Sequence, residues 1–356
     1  MTYASPRAAV LAGIGSWTPP GVLTNAQLAS RLDTSDEWIR SRTGIESRHR
    51  VTAGTSTSDL AVEAGRRALK SAGSDAVDAV VLATSTPDEL CPATAPSVAS
   101  RLGLGRVAAF DVSAVCAGFV YGLGTAAGLI AAGVAERVLL IGAEAFTSLV
   151  DPDDRTTAAI FGDGAGAVVL RAGRPDEPGA ITSLVLGSDG GGRELLHVPA
   201  GGARLRVPAE GESRFLQLRG REIFRHAVRH MGASCREAVA RAGWELSDVD
   251  RLVAHQANAR ITAALGGALG IPLERAASNI ARVGNTAAAS VPLLLDEDNA
   301  DGSLTPGQRV LITAFGGGLA WGAATLVWPS LDSVGGPDPS GGPHVHDITD
   351  ITAKES

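Results

Sequence analysis

The chain repeats itself, and that repeat limits its possible folds more than any other feature. The run DAVVLAT from Asp78 is echoed by DRLVAHQ from Asp250, and ERVLLIGAE from Glu136 by QRVLITAFG from Gln308, each 172 residues further on. Upstream, GRRALKSAG from Gly65 parallels CREAVARAG from Cys235 at a shift of 170 residues. The order helix, strand, strand recurs at nearly one offset. Solenoid repeats run to about 20–50 residues, so a period this long reads as two related halves. Each half alternates helical periodicity with short β-rich runs, which predicts stacked α/β layers.

With 356 residues, the length allows two lobes or one large duplicated fold. The join falls within 171–220, where AGRPDEP and GSDGGGREL mark loops and the run through GGARLRVPAEGES predicts an irregular excursion. We divide the chain into 1–175, 176–329 and 330–356. The last segment is Gly/Pro/Ser/Asp-rich without periodicity and reads as a disordered tail, its His344 and His346 solvated and no metal bound. No apolar run reaches the length of a membrane span, and the N-terminus lacks a signal-peptide pattern. Cys91, Cys116 and Cys235 are too few and too scattered for a disulfide framework or a zinc cluster. The expectation is a cytoplasmic protein, with no membrane partner. A formal net charge of −7 argues against nucleic acid as a partner.

The segment DVSAVCAGFVYGL, 111–123, carries the most chemistry. A short apolar run leads into Cys116, and a Gly/Ala-rich stretch with helical spacing follows. The pattern predicts strand, tight turn, cysteine, buried helix. A thiol at a helix N-terminus faces the positive end of the dipole, which is expected to lower its pKa and make it a nucleophile. A buried structural cysteine is the plainer alternative.

The second half offers partners for such a nucleophile. In LVAHQANARI, His255 directly follows a predicted strand, and strand ends in α/β sheets are where sites form. In SNIARVGNTAAASVPLLLDE, Asn285 precedes small residues and an apolar helix, nearly the position that Cys116 holds in the first half. It could serve there as a cap or as an amide donor. Gly316, Gly317 and Gly318 lie together between two predicted strands, where a bare turn would not need all three.

Taken together, these motifs resemble β-ketoacyl-acyl carrier protein synthase III, of the thiolase superfamily, over almost all of residues 8–329. The resemblance rests on DTSDEWIRSRTGI (33–45), DVSAVCAGFVYGL, DDRTTAAIFGDGAGAVVL (153–170), GREIF (220–224), HQANARI (255–261), GNTAAASVPL (284–293) and AFGGGLAWG (314–322). It implies a thiolase-like five-layer αβαβα fold of two duplicated halves, assembled as a homodimer. It implies a catalytic triad of Cys116, His255 and Asn285, with the backbone N–H groups of Cys116 and Gly317 as the oxyanion hole. Thr34, Trp38, Arg42, Arg155, Phe224 and Asn258 match the coenzyme A entrance, with Trp38 and Arg155 sandwiching the adenine. Acyl-CoA is then a substrate and no cofactor is permanently bound. Arg225 and Arg260 match positions that meet malonyl-acyl carrier protein. Asn at 285 favours carbon–carbon condensation over ester or amide formation by a related secondary-metabolism acyltransferase, where a carboxylate would help the histidine act as a base. Leu90 and Cys91 fall where relatives place a bulky residue from the opposite subunit at the end of the acyl pocket. The small Cys91 leaves room there for a longer or branched primer.

Overall fold

The computed structural model describes residues 7–210 and 212–334. Its first half begins with β1 (Ala8–Trp17), β2 (Gly21–Thr24), α1 (Asn25–Ala29), α2 (Asp36–Thr43), β3 (Ser47–Arg50) and the long helix α3 (Thr57–Ser71). β4 (Ala79–Ala83), α4 (Ala95–Arg101), β5 (Ala108–Val112), α5 (Gly118–Ala131), β6 (Arg137–Glu144) and β7 (Gly164–Gly173) complete it. The second half runs from β8 (Ile181–Ser188) through a short pair, β9 (Leu196–His197) and β10 (Gln217–Leu218), to α6 (Gly220–Arg241) and β11 (Arg251–Ala254). It ends with α7 (Ala259–Leu269), α8 (Ile280–Val283), α9 (Ser290–Ala300), β12 (Arg309–Gly316) and β13 (Ala320–Val327).

The repeat in the sequence is a repeat in topology. One sheet has the order β1-β7-β6-β4-β5, with its first two pairings antiparallel and its last two parallel. The other has the order β8-β13-β12-β11, antiparallel twice and then parallel. Beyond β11, where the first sheet has its fifth strand, Leu252 makes a single parallel bridge to Ala276. The second sheet has kept only one pairing of that fifth strand.

Five layers follow from what each element must cover. α3 and α4 pack on the outer face of the first sheet, and α6 and α7 on the outer face of the second. Between the sheets lie α5, against β6 and β13, and α9, against β7 and β11. A helix enclosed by two sheets has to be apolar all round and narrow. The α5 sequence GFVYGLGTAAGLIA meets both demands. A Cβ on its Gly122 would lie 2.4 Å from Leu140 of one sheet, and one on Gly124 would lie 2.8 Å from Leu184 of the other. The sheets are covered on both faces, which is why β4 reads AVVLA with every residue buried.

Residues 198–216 carry no helix or strand among those described, in line with the irregular excursion expected there. Of the expected tail, 330–334 are likewise without helix or strand, and 335–356, with His344 and His346, lie outside the described residues. No helix among the described residues is long and apolar enough to cross a membrane.

Candidate active site

Cys116 sits on a bend that the backbone adopts at a cost. β5 ends at Val112, Val115 has φ of 47°, and Cys116 occupies a short 3-10 turn over Val115–Ala117 that leads into α5. A β-branched residue in the left-handed region costs on the order of 1–3 kcal/mol, and packing must hold it there. Gly316, the last residue of β12, supplies part of that packing. A Cβ on it would fall 2.7 Å from the Cys116 nitrogen and 3.0 Å from that of Ala117. Only a glycine lets the second sheet's strand end come this close to the thiol's amide.

The second half repeats the bend. Ala287 has φ of 45°, and Ala287–Ala289 form a 3-10 turn before α9. The counterpart of Cys116 is therefore Ala288, 172 residues on, and not Asn285 as the sequence suggested. The two turns pack together, so that a Cβ on Gly118 would lie 3.3 Å from the Ala288 methyl. Asn285 reaches the site from just ahead of its turn.

Cys116, His255 and Asn285 line one cavity of about 110 Å³. His255 follows β11, donates its backbone N–H to Thr313 O at 2.8 Å, and is 2 % exposed. Burial drives its pKa down to about 3, so the imidazole is neutral at any working pH. Its Nδ1 has no hydrogen-bond partner among the described residues. Among the described residues no carboxylate is bonded to this Nδ1. Asn285 is held by its own backbone, donating N–H to Ile160 O and accepting from Gly162 N–H, both at 2.9 Å. Its Oδ1 accepts the Ala287 N–H at 2.9 Å. The oxygen thus caps the turn, which commits the acceptor side and keeps the –NH2 donors for the cavity. The capping reading of Asn285 is thus met by its oxygen, and its –NH2 group is the atom that the donating reading needs.

One expectation is reversed. The helix N-terminus was expected to lower the Cys116 pKa, but burial pushes the thiol well up, and the nearby Glu144 carboxylate adds to the rise. Cys116 is 4 % exposed, and removing a thiolate from water outweighs the dipole of one helix. Burial thus favours the uncharged thiol and the uncharged imidazole of two residues that line one cavity.

The residues expected at the coenzyme A entrance lie in three places. Asn258 lines the cavity and caps α7, its side chain accepting from Ile261 N–H at 3.0 Å. Phe224, on α6, packs half-buried beside Ile223, which does line the cavity. Trp38 and Arg42 belong to α2, and Thr34 shortly precedes it with a buried Oγ1 that has no partner among the described residues. The Arg42 guanidinium lies 4.8 Å from the Trp38 ring centroid and that of Arg155 lies 5.5 Å from it. A base stacked between Trp38 and Arg155 needs roughly 7 Å, two contacts of ~3.5 Å. Arg155 donates instead to Asp33 O at 2.7 Å and Asp33 Oδ2 at 3.1 Å. While Arg155 holds Asp33, the gap to Trp38 is too narrow for the expected stack. Gly317 stands next to Gly316 but outside the cavity lining, and a Cβ on it would fall 2.7 Å from Leu196 Cδ2. Arg225 on α6 and Arg260 on α7 are exposed on two helices that pack together.

Sequence reasoning missed two parts of the site. Ile223, Ala227 and Met231 form a cavity wall at helical spacing along α6, legible as an apolar stripe but not as a lining. Glu144, fully buried beside the nucleophile, was legible only as an acid closing the apolar run RVLLIGAE.

Residues 110–190 match the family model for 3-oxoacyl-[acyl-carrier-protein (ACP)] synthase III, and 239–328 match that for its C-terminal region. The chain is 59 % identical over 333 residues to beta-ketoacyl-[acyl-carrier-protein] synthase III 3 of Streptomyces coelicolor, covering 92 % of this chain and 99 % of that one. It is similar to the crystal structure of 3-oxoacyl-(acyl carrier protein) synthase III from Pseudomonas aeruginosa, with TM-score 0.86, 50 % identity and coverage of 92 % and 100 %. It is also similar to a priming beta-ketosynthase of a polyketide biosynthetic pathway, with TM-score 0.87, 34 % identity and coverage of 94 % and 99 %.

Proposed function

The chain belongs to the β-ketoacyl-[acyl-carrier-protein] synthase III family, and from this we infer that it primes fatty-acid or type II polyketide assembly by decarboxylating Claisen condensation of an acyl-CoA with malonyl-acyl carrier protein. Cys116 attacks the acyl-CoA thioester, and the thiol proton leaves with the coenzyme A sulfur. The backbone N–H groups of Cys116 and Gly317 stabilise the tetrahedral oxyanion. Malonyl-acyl carrier protein then enters and loses CO2. The resulting enolate oxygen takes hydrogen bonds from His255 and Asn285, and its carbon attacks the acyl-cysteine. The departing Cys116 sulfur takes a proton, and the carrier leaves with a 3-ketoacyl chain.

One observation carries this reading. Burial favours the neutral form of His255, its Nδ1 has no partner among the described residues, and the polar side chains that line its cavity are the Cys116 thiol and the amides of Asn258 and Asn285. Neutral N–H donors suit an enolate, whereas acyl transfer to a hydroxyl gains from a carboxylate–histidine base.

Acyl-CoA is a substrate here and not a resident cofactor. Two copies of the chain pair through the first sheet, because β5 is its edge strand and presents unpaired backbone groups beside Phe110 and Val112, which are half-buried. Leu90, 89 % exposed, and its exposed neighbour Cys91 then close the acyl pocket of the partner subunit. Arg225 and Arg260 receive the acidic carrier.

Incubation with an acyl-CoA and malonyl-acyl carrier protein tests the reading. The expected products are CO2 and a 3-ketoacyl carrier protein two carbons longer than the primer. Acyl-enzyme that never consumes the malonyl carrier, yet passes its acyl group to alcohols or amines, would establish the acyltransferase alternative.

A further inference from the structure

Glu144 ends β6 fully buried, and among the described residues the hydrogen-bond partners of its carboxylate come from one three-residue stretch. The Ser85 backbone N–H donates to its two oxygens at 3.1 and 3.0 Å, Thr86 Oγ1 donates at 2.8 Å, and Thr84 Oγ1 at 3.3 Å. Burying a carboxylate among neutral donors is costly, and a residue without charge would avoid the cost. The return on that burial is a grip on 84–86. Thr86 is fastened from a second side, where Thr57 Oγ1 donates to its carbonyl at 2.5 Å.

That stretch opens a loop running to Thr94, and two more carboxylates fasten it. Asp88 accepts from the Ser58 N–H at 3.0 Å and from Ser56 Oγ at 3.2 Å. Asp111 accepts from the N–H groups of Thr94 and Ala95, both at 2.8 Å. Above these anchors every residue from Pro87 to Ala93 is exposed, and the tip is apolar. An exposed apolar tip on a fastened base has a preset reach, so little ordering remains to be done when it meets a pocket.

We propose that Glu144 is a positioning residue for primer selection: by gripping 84–86 it sets how far the Leu90–Cys91 tip reaches into the acyl pocket of a second copy of the chain. The proposal rests on the reading that this tip closes the partner's pocket, so the test examines the tip and its anchor separately.

The test compares kcat/KM for acetyl-CoA and hexanoyl-CoA, with malonyl-acyl carrier protein as acceptor, in the parent, Glu144→Gln, Glu144→Ala and Cys91→Phe. Both primers meet the same thiol, so their ratio cancels any change in Cys116 acidity and reads the pocket alone. Mismatch of one methylene in an apolar pocket is worth about 10–200-fold, and a displaced tip should move the ratio by about fivefold or more in Glu144→Ala. Glu144→Gln, which keeps one acceptor oxygen, should move it less. A ratio unchanged within about twofold in Glu144→Ala, while Cys91→Phe shifts it, overturns the role of Glu144 and spares the tip reading. Cys91→Phe without effect removes the tip reading and this proposal with it. Should Glu144→Ala fail to fold, Asp88→Asn, which loosens the same loop from its exposed side, must shift the ratio or the proposal falls.

Discussion

At the scale of single residues, the site depends on groups kept neutral by burial. Burial disfavours the charged form of both His255 and Cys116, leaving an imidazole that can offer or accept a hydrogen bond and a protonated thiol. A prediction follows for free enzyme. Because burial raises the thiol pKa, alkylation of Cys116 by iodoacetamide should stay slow at neutral pH and keep rising with pH through 9, with no plateau. A plateau near pH 7, as a dipole-activated thiolate would give, contradicts that account. The identities of these residues were legible from the chain, since Cys116, His255 and Asn285 each stand at a predicted strand or helix end. Their protonation was not, because it depends on how deeply the two sheets bury the end of α5. Glu144 was invisible for the same reason. Nothing local marks an acid at the end of RVLLIGAE as having no solvent.

At the scale of elements, the bend that displays Cys116 depends on what presses against it. Val115 and Ala287 share a left-handed backbone but no side-chain likeness, so the repeat of the bend was hidden and the sequence aligned Asn285 with Cys116. The repeat in strands was plain because parallel strands covered on both faces must be apolar, and that requirement leaves the same trace twice. The fifth strand of the second sheet has shrunk to the Leu252–Ala276 bridge and left no trace. Gly316 joins the two elements, and its substitution tests the packing directly. Gly316→Ala puts a methyl against the Cys116 amide, which should cost about 1–3 kcal/mol in stability and suppress self-acylation out of proportion to any loss of fold. Self-acylation at the parent rate in a Gly316→Ala protein would show that the close approach is not needed.

At the scale of the whole molecule, duplication has let the two halves specialise. The first half carries Cys116, the proposed nucleophile, on the bend before α5. The second, whose matching position is Ala288, carries His255 and Asn285. In the proposed reaction the chemistry divides along the same line: acyl transfer to Cys116 falls to one half, and stabilising the enolate of the malonyl unit falls to the other. The measurement that tests this division most directly follows both half-reactions in two variants. Intact-mass detection of acyl-enzyme reports the first, and CO2 release from malonyl-acyl carrier protein reports the second. Cys116→Ala should lose self-acylation entirely and still release CO2. Asn285→Asp should acylate nearly as the parent does, while its decarboxylation falls by about 10²-fold or more, as when one preorganised donor is replaced by a repelling charge. Equal loss of both half-reactions in Asn285→Asp, or persistent acylation elsewhere with full turnover in Cys116→Ala, would contradict the account.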